Sequence, residues 1–117
     1  MMAKPYSDRV TKVAASSAAT YISSRNKQSR GNLRVKSISA RDLTTAVATA
    51  ITIGIQLSGE LIPIYRLAGA ITAGVPAVVL PDVLIGPDAQ IYAYFQDATS
   101  GDSLELNVIG ELEDLKV

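Results

Sequence analysis

The sequence predicts an all-β fold: a single antiparallel β-sandwich of jelly-roll or immunoglobulin-like topology, preceded by a basic N-terminal arm that is helical in part or extended. Three observations carry this reading. Apolar and polar residues alternate with a period of two over several short runs, each bounded by Gly, Pro, Asp or Ser, which gives roughly seven strands at turn-marked spacing. A length of 117 residues suits one modest core and no more. The net charge of zero hides a division: residues 1–42 hold nine Lys or Arg against two Asp, and residues 43–117 hold two against nine acids. Opposed halves of this kind suggest a basic arm joined to an acidic body, with residues 1–32 as arm and linker and residues 33–117 as the sandwich.

Within the arm, Ser7 or Asp8 is placed to cap a short helix, since Val10, Val13, Ala14, Ala18, Tyr21 and Ile22 recur at helical spacing. Alanine and serine dominate that segment, so it reads equally well as an extended arm that orders on a partner. Residues 23–32 are polar and basic, with the composition of a linker.

The period becomes two from Leu33. Leu33 and Val35 alternate with Arg34 and Lys36, as in a lysine-guarded edge strand. Residues 42–50 are ambiguous between a helix turn capped by Asp42 and a threonine-rich strand or loop. Residues 49–57 set Ile51, Ile53, Ile55 and Leu57 on one face. A turn at Ser58-Gly59-Glu60 leads to residues 61–68, where Pro63 implies an edge or a bulge. Short runs follow at 77–80 and 83–85. Residues 90–96 and 103–109 flank a turn-rich loop and are predicted to pair as a β-hairpin, with Ile91, Ala93, Phe95, Leu104, Leu106 and Val108 facing the core.

Cysteine and histidine are both absent. That removes thiolate and imidazole nucleophiles, the commonest zinc ligands and any disulfide, and no enzymatic activity or cofactor is expected. Asp97 and Asp102 flank the loop between the last two strands, but turn chemistry accounts for them, as it does for Asp82 and Asp88, so neither a catalytic nor a metal site is predicted. No apolar run is long enough to span a bilayer, and the N-terminus lacks the apolar region of a secretory signal, so no membrane partner is expected.

Two sets of residues are candidates for contact with partners. Lys4, Arg9, Lys12, Tyr21, Arg25, Lys27 and Arg30 belong to the basic arm, which reads as a solvated tail, a phosphate-binding segment or a segment docked on an acidic protein surface. Tyr6 and Tyr21 alone supply little base stacking, so docking is favoured over nucleic acid. Tyr92 and Tyr94 share the wetter face of one strand, where they contact a covering segment or neighbouring subunit, or form a platform for a sugar.

From Pro87-Asp88-Ala89 through Gln90-Ile91-Tyr92-Ala93-Tyr94-Phe95, and from Ala98-Thr99-Ser100-Gly101-Asp102 through Ser103-Leu104-Glu105-Leu106-Asn107-Val108-Ile109-Gly110, the chain resembles small β-sandwich structural proteins of tailed-bacteriophage virions. The resemblance implies a capsid decoration or cement protein, made in the host cytoplasm and located in the virion. Its implied partners are copies of itself, as a trimer or lattice multimer, and a major capsid or other virion protein. A tail or neck component, or a carbohydrate- or cell-surface-binding module, would use the same sandwich.

Overall fold

In the computed structural model, residues 3–14, 20–24, 32–45, 50–69, 71–96 and 98–113 are described. They form nine strands: β1 (Ala3–Val13), β2 (Thr20–Ser23), β3 (Asn32–Asp42), β4 (Ala50–Leu57), β5 (Glu60–Ala68), β6 (Ala77–Val79), β7 (Val83–Ile85), β8 (Ala89–Phe95) and β9 (Ser103–Glu113). One sheet runs β1-β9-β3-β6, with β7 pairing β3 beside β6, and the other runs β2-β8-β4-β5. All pairings are antiparallel. With β6 and β7 sharing one position, this is the double Greek-key order of a jelly roll, so the immunoglobulin-like alternative falls away.

Alternation decides which side of each strand is dry. Ile51 and Ile53 on β4, Ile91, Ala93 and Phe95 on β8, and Leu104, Leu106 and Val108 on β9 are buried between the sheets with Val35, Ile38 and Ala40 of β3. Ile55 is only half-buried. At Ser58-Gly59 both residues have positive φ, 50° and 82°, which gives the two-residue hairpin turn that twists with its strands and joins β4 to β5. Pro63 lies beside a register shift on β5, and β5 is an edge strand, as its proline implies.

The arm expected over residues 1–32 is different in the structure. Its described residues are strands, not helix: β1 pairs along its full length with β9, from Ala3 opposite Glu113 to Val13 opposite Ser103, and β2 pairs with β8. Ala14 and Ile22 belong to the core, and Tyr6 and Val10 pack against it. The apolar spacing that suggested a helix is met by two strands, each placing a few residues inward. Consequently Leu33 opens no separate domain, and β3 lies inside its sheet between β9 and the β6–β7 pair rather than at an edge.

The hairpin predicted for 90–96 and 103–109 does not form. β8 and β9 lie in opposite sheets, so the loop between them arches across the end of the sandwich. Both strands turn an apolar face inward, but those faces oppose each other across the core instead of sharing a sheet.

Candidate assembly surfaces

The two lateral sides of the sandwich are unlike. β1 and β2 form one side, and β5 with β6 and β7 form the other. Between residues 57 and 84 the only charged residues are Glu60, Arg66 and Asp82. Eight of the twelve exposed large apolar side chains among the described residues fall there: Leu57, Leu61, Ile62, Ile64, Val75, Val78, Leu80 and Leu84. Leu80 is 73% exposed, and β5 presents Leu61, Ile62, Pro63 and Ile64 consecutively to solvent. Exposed aliphatic side chains concentrated in this way are unusual for a surface left to water. The β1 side is guarded instead by Lys4, Arg9, Lys12 and Pro5.

On the outer face of the first sheet, acids of β9 stand between bases of β1 and β3. Glu105, 1% exposed, accepts a hydrogen bond from Arg41 Nε at 2.9 Å and one from Asn107 Nδ2 at 2.8 Å. Arg9 Nη2 lies 2.5 Å from its other oxygen. Burial pushes the Glu105 carboxyl upward, but the contacts from Asn107, Arg41 and Arg9 outweigh it and leave the group below its ordinary range. Arg34 reaches Glu113 and Asp82, and Lys36 Nζ donates to Asp82 at 2.8 Å. Hydrogen bonding from Lys36 holds the Asp82 carboxyl down. The charge division of the sequence is thus in large part a cross-strand pattern within one sheet.

Among the arm candidates, Lys4, Arg9 and Lys12 lie on β1, and Arg25, Lys27 and Arg30 lie outside the described residues. Arg9 is engaged with Glu105, and Lys12 Nζ donates to the Tyr21 carbonyl at 2.9 Å, tying β1 to β2. Tyr21 stacks on Tyr94 with ring centroids 4.6 Å apart and meets Tyr92 at 6.2 Å. The register explains this, because Tyr21 is opposite Tyr94 and Ser23 opposite Tyr92. Tyr92 is buried, 3% exposed, over Gly54 of β4, and burial raises its hydroxyl pKa. The segment covering the tyrosines is therefore the chain's own β2, and the surface left open is Tyr21 with Ser23, Gln56, Gly59 and Leu61, an uncharged shallow groove.

Asp42 and Asp102 form a carboxyl pair that the sequence did not signal. They lie at the end of β3 and the start of β9, both 2% exposed. Asp42 Oδ1 accepts the Thr44 and Thr45 amides at 2.9 and 3.1 Å, and Asp102 Oδ2 accepts the Thr45 hydroxyl and the Thr99 amide. Burial and the adjoining Asp102 raise Asp42 to about 6. Burial also acts on Asp102, yet its hydrogen bonds from Asp42, Thr45 and Thr99 hold it below its ordinary value. Through Thr45, which donates its amide to Asp42 and its hydroxyl to Asp102, the pair pins the loop after β3 to the arch before β9. Asp97 lies outside the described residues. Among the described residues no three His, Cys, Asp or Glu side chains converge as metal ligands, and no helix is long and apolar enough to cross a membrane.

No protein-family model matches the chain, and no curated protein matches it. Its fold is similar to that of a solved structure of Bacillus endospore appendages, which form disulfide-linked pili. That likeness has a TM-score of 0.56 at 11% identity and covers 97% of this chain and 89% of that one. The Drosophila NLP core, whose structure concerns pentamer formation and histone binding, aligns with a TM-score of 0.49 at 17% identity, over 96% of this chain and 100% of that chain. The capsid asymmetric unit of cyanophage Pam1 aligns with a TM-score of 0.41 at 18% identity, over 95% and 85%. At 11% identity the likeness to the endospore appendage shows a shared fold alone.

Proposed function

We propose that this chain is a non-enzymatic structural protein of a bacteriophage virion, a capsid decoration or cement protein that binds copies of itself and a major capsid protein. The observation that carries the reading is the apolar lateral side of β5, β6 and β7 on a small jelly roll with no disulfide to staple it. Exposed aliphatic side chains in that number favour a protein that functions covered. The resemblance of residues 87–110 to tailed-phage structural proteins selects the virion among possible assemblies. The basic residues Lys4, Lys12, Arg25, Lys27 and Arg30 supply the electrostatic part of the attachment, docking on an acidic surface of a neighbouring copy or capsid protein.

The test is an inventory of purified virions by mass spectrometry, followed by add-back of purified protein to heads that lack it. The expected result is stoichiometric presence in the particle and a higher temperature of head rupture once the protein is restored. Binding of glycans, with no presence in particles, would establish the carbohydrate-binding alternative and refute this one.

A further inference from the structure

We propose that the groove on the outer face of the second sheet binds an uncharged saccharide, with Tyr21 as its aromatic wall and the Gln56 amide as its hydrogen-bond donor. Strand alternation builds the site. Ile22 and Ile53 are buried in the core, so Tyr21, Ser23, Gly54 and Gln56 turn outward, and Leu61 stands opposite Gln56 in the β4–β5 ladder on that same face. Lined by Tyr21, Ser23, Gln56, Gly59 and Leu61, the groove has a volume of about 230 Å³, room for one sugar ring.

The walls are in place before a ligand arrives. Tyr21 rests on Tyr94 yet is 45% exposed, and Lys12 ties its backbone to β1. A ring fixed in this way offers amphipathic contact area with little freedom left to lose. Leu61, 39% exposed, adds an apolar wall on β5. Ser23 Oγ donates to Gln56 Oε1 at 3.2 Å, which leaves the Nε2 hydrogens to a ligand, since no described residue accepts them. A pyranose matches this set: its C–H face is apolar and packs on Tyr21 and Leu61, while hydroxyls at its rim accept from Gln56 Nε2 and donate to Ser23 Oγ. Charge narrows the class further. Among the described outward positions of β2, β8, β4 and β5 the one charged residue is Arg66, toward the far end of β5, and Glu60 alternates to the other side. The groove therefore has no ion pair to offer an acidic sugar, a phosphate or a charged peptide. A single site of this kind binds weakly, with a dissociation constant on the order of 1 mM, and on the virion proposed above repeated copies turn weak binding into avid attachment.

The test titrates the full nitrogen-15-labelled chain with maltotriose, cellotriose, lactose and chitotriose, and with trigalacturonate as the acidic counterpart, following amide shifts by NMR. At least one neutral sugar is expected to give saturable shifts confined to the groove residues and their neighbours, and trigalacturonate to bind roughly tenfold more weakly or not at all. Tyr21→Phe is expected to bind as wild type does. Tyr21→Ala, Gln56→Leu and Leu61→Arg are each expected to weaken binding roughly tenfold or more. Circular dichroism establishes that each variant folds, and Leu61→Arg, at an exposed edge position, carries the test even if Tyr21→Ala loosens β2. No saturable shift with any neutral sugar up to about 50 mM, shifts centred away from the groove, unchanged affinity in Gln56→Leu and Leu61→Arg, or equal binding of trigalacturonate would each overturn the saccharide site. None of these outcomes bears on the virion reading, which the particle inventory tests separately.

Discussion

The ring of Tyr92 lies across Gly54: a Cβ at residue 54 would stand 2.5 Å from Tyr92 Cε1 and closer still to the Ile62 carbonyl oxygen. Both obstacles are held in place, one by burial beside the tilted ring of Tyr21 and the other by the β4–β5 ladder. Gly54→Ala is therefore expected to destabilise the fold by about 1–3 kcal/mol, as overpacking does. Urea denaturation measures this, and a change under about 0.5 kcal/mol would show that the ring yields freely.

Leu106 is fully buried near the centre of β9. Leu106→Ala is expected to cost about 2–5 kcal/mol. The same denaturation experiment reads it.

Glu105 and Arg9 form one ion pair, yet their substitutions should be unequal. Glu105→Ala leaves Arg9 and Arg41 facing each other around an empty buried position, at an expected cost of about 1–3 kcal/mol. Arg9 is 65% exposed in its side chain, so Arg9→Ala should cost less than about 1 kcal/mol and should lose its effect as salt rises. Equal costs would contradict the asymmetry of burial.

Asp42 makes stability depend on pH. Its folded value of about 6 exceeds the ordinary 3.8, so between these values the folded chain holds a proton that the unfolded chain has released. The stabilisation is complete below 3.8 and is lost as pH rises through 6. Asp102, Glu105 and Asp82, held below their ordinary values, act in the opposite sense, losing their contribution as pH falls. The difference between wild type and Asp42→Asn isolates the first effect. The variant keeps the acceptor for Thr44 and Thr45, so it should match wild type near pH 4 and exceed it above about pH 6. A flat difference between those limits would refute the raised Asp42 carboxyl.

Deletion of residues 2–24 is expected to abolish the fold. It removes β1 and β2, opens the edges of β9 and β8, and uncovers the side of the core closed by Ala14 and Ile22. A truncated chain with native circular dichroism would mean that these strands are accessory.

Period-two alternation identified β4, β8 and β9 and their inward residues, because a pleat with one dry face leaves that pattern directly in the sequence. It carries no information on partners. Residues 90–96 and 103–109 therefore read as partners in a hairpin, although β8 and β9 lie in two different sheets. β1 was missed because an edge strand held by the backbone of β9 needs few apolar residues, and Asp8 and Lys12 alternate with Val10 in a way that hides it. Arg9, Arg41 and Glu105 produced the charge division that suggested an arm, since a count of charges along the chain cannot show that an acidic strand lies between two basic ones. Asp42 and Asp102 have ordinary turn chemistry. Only their convergence from the ends of β3 and β9 buries them side by side and raises Asp42.

β9 pairs with β1 and β3 over nearly its whole length, and it comes later in the chain than either. On the ribosome, β1 and β3 emerge with the place between them empty, and Arg9 and Arg41 lack Glu105 until residues 103–113 have been made. The central seam of the first sheet thus closes only after the other eight strands have been made. A chain that has not yet supplied β9 has no finished jelly roll to offer a partner.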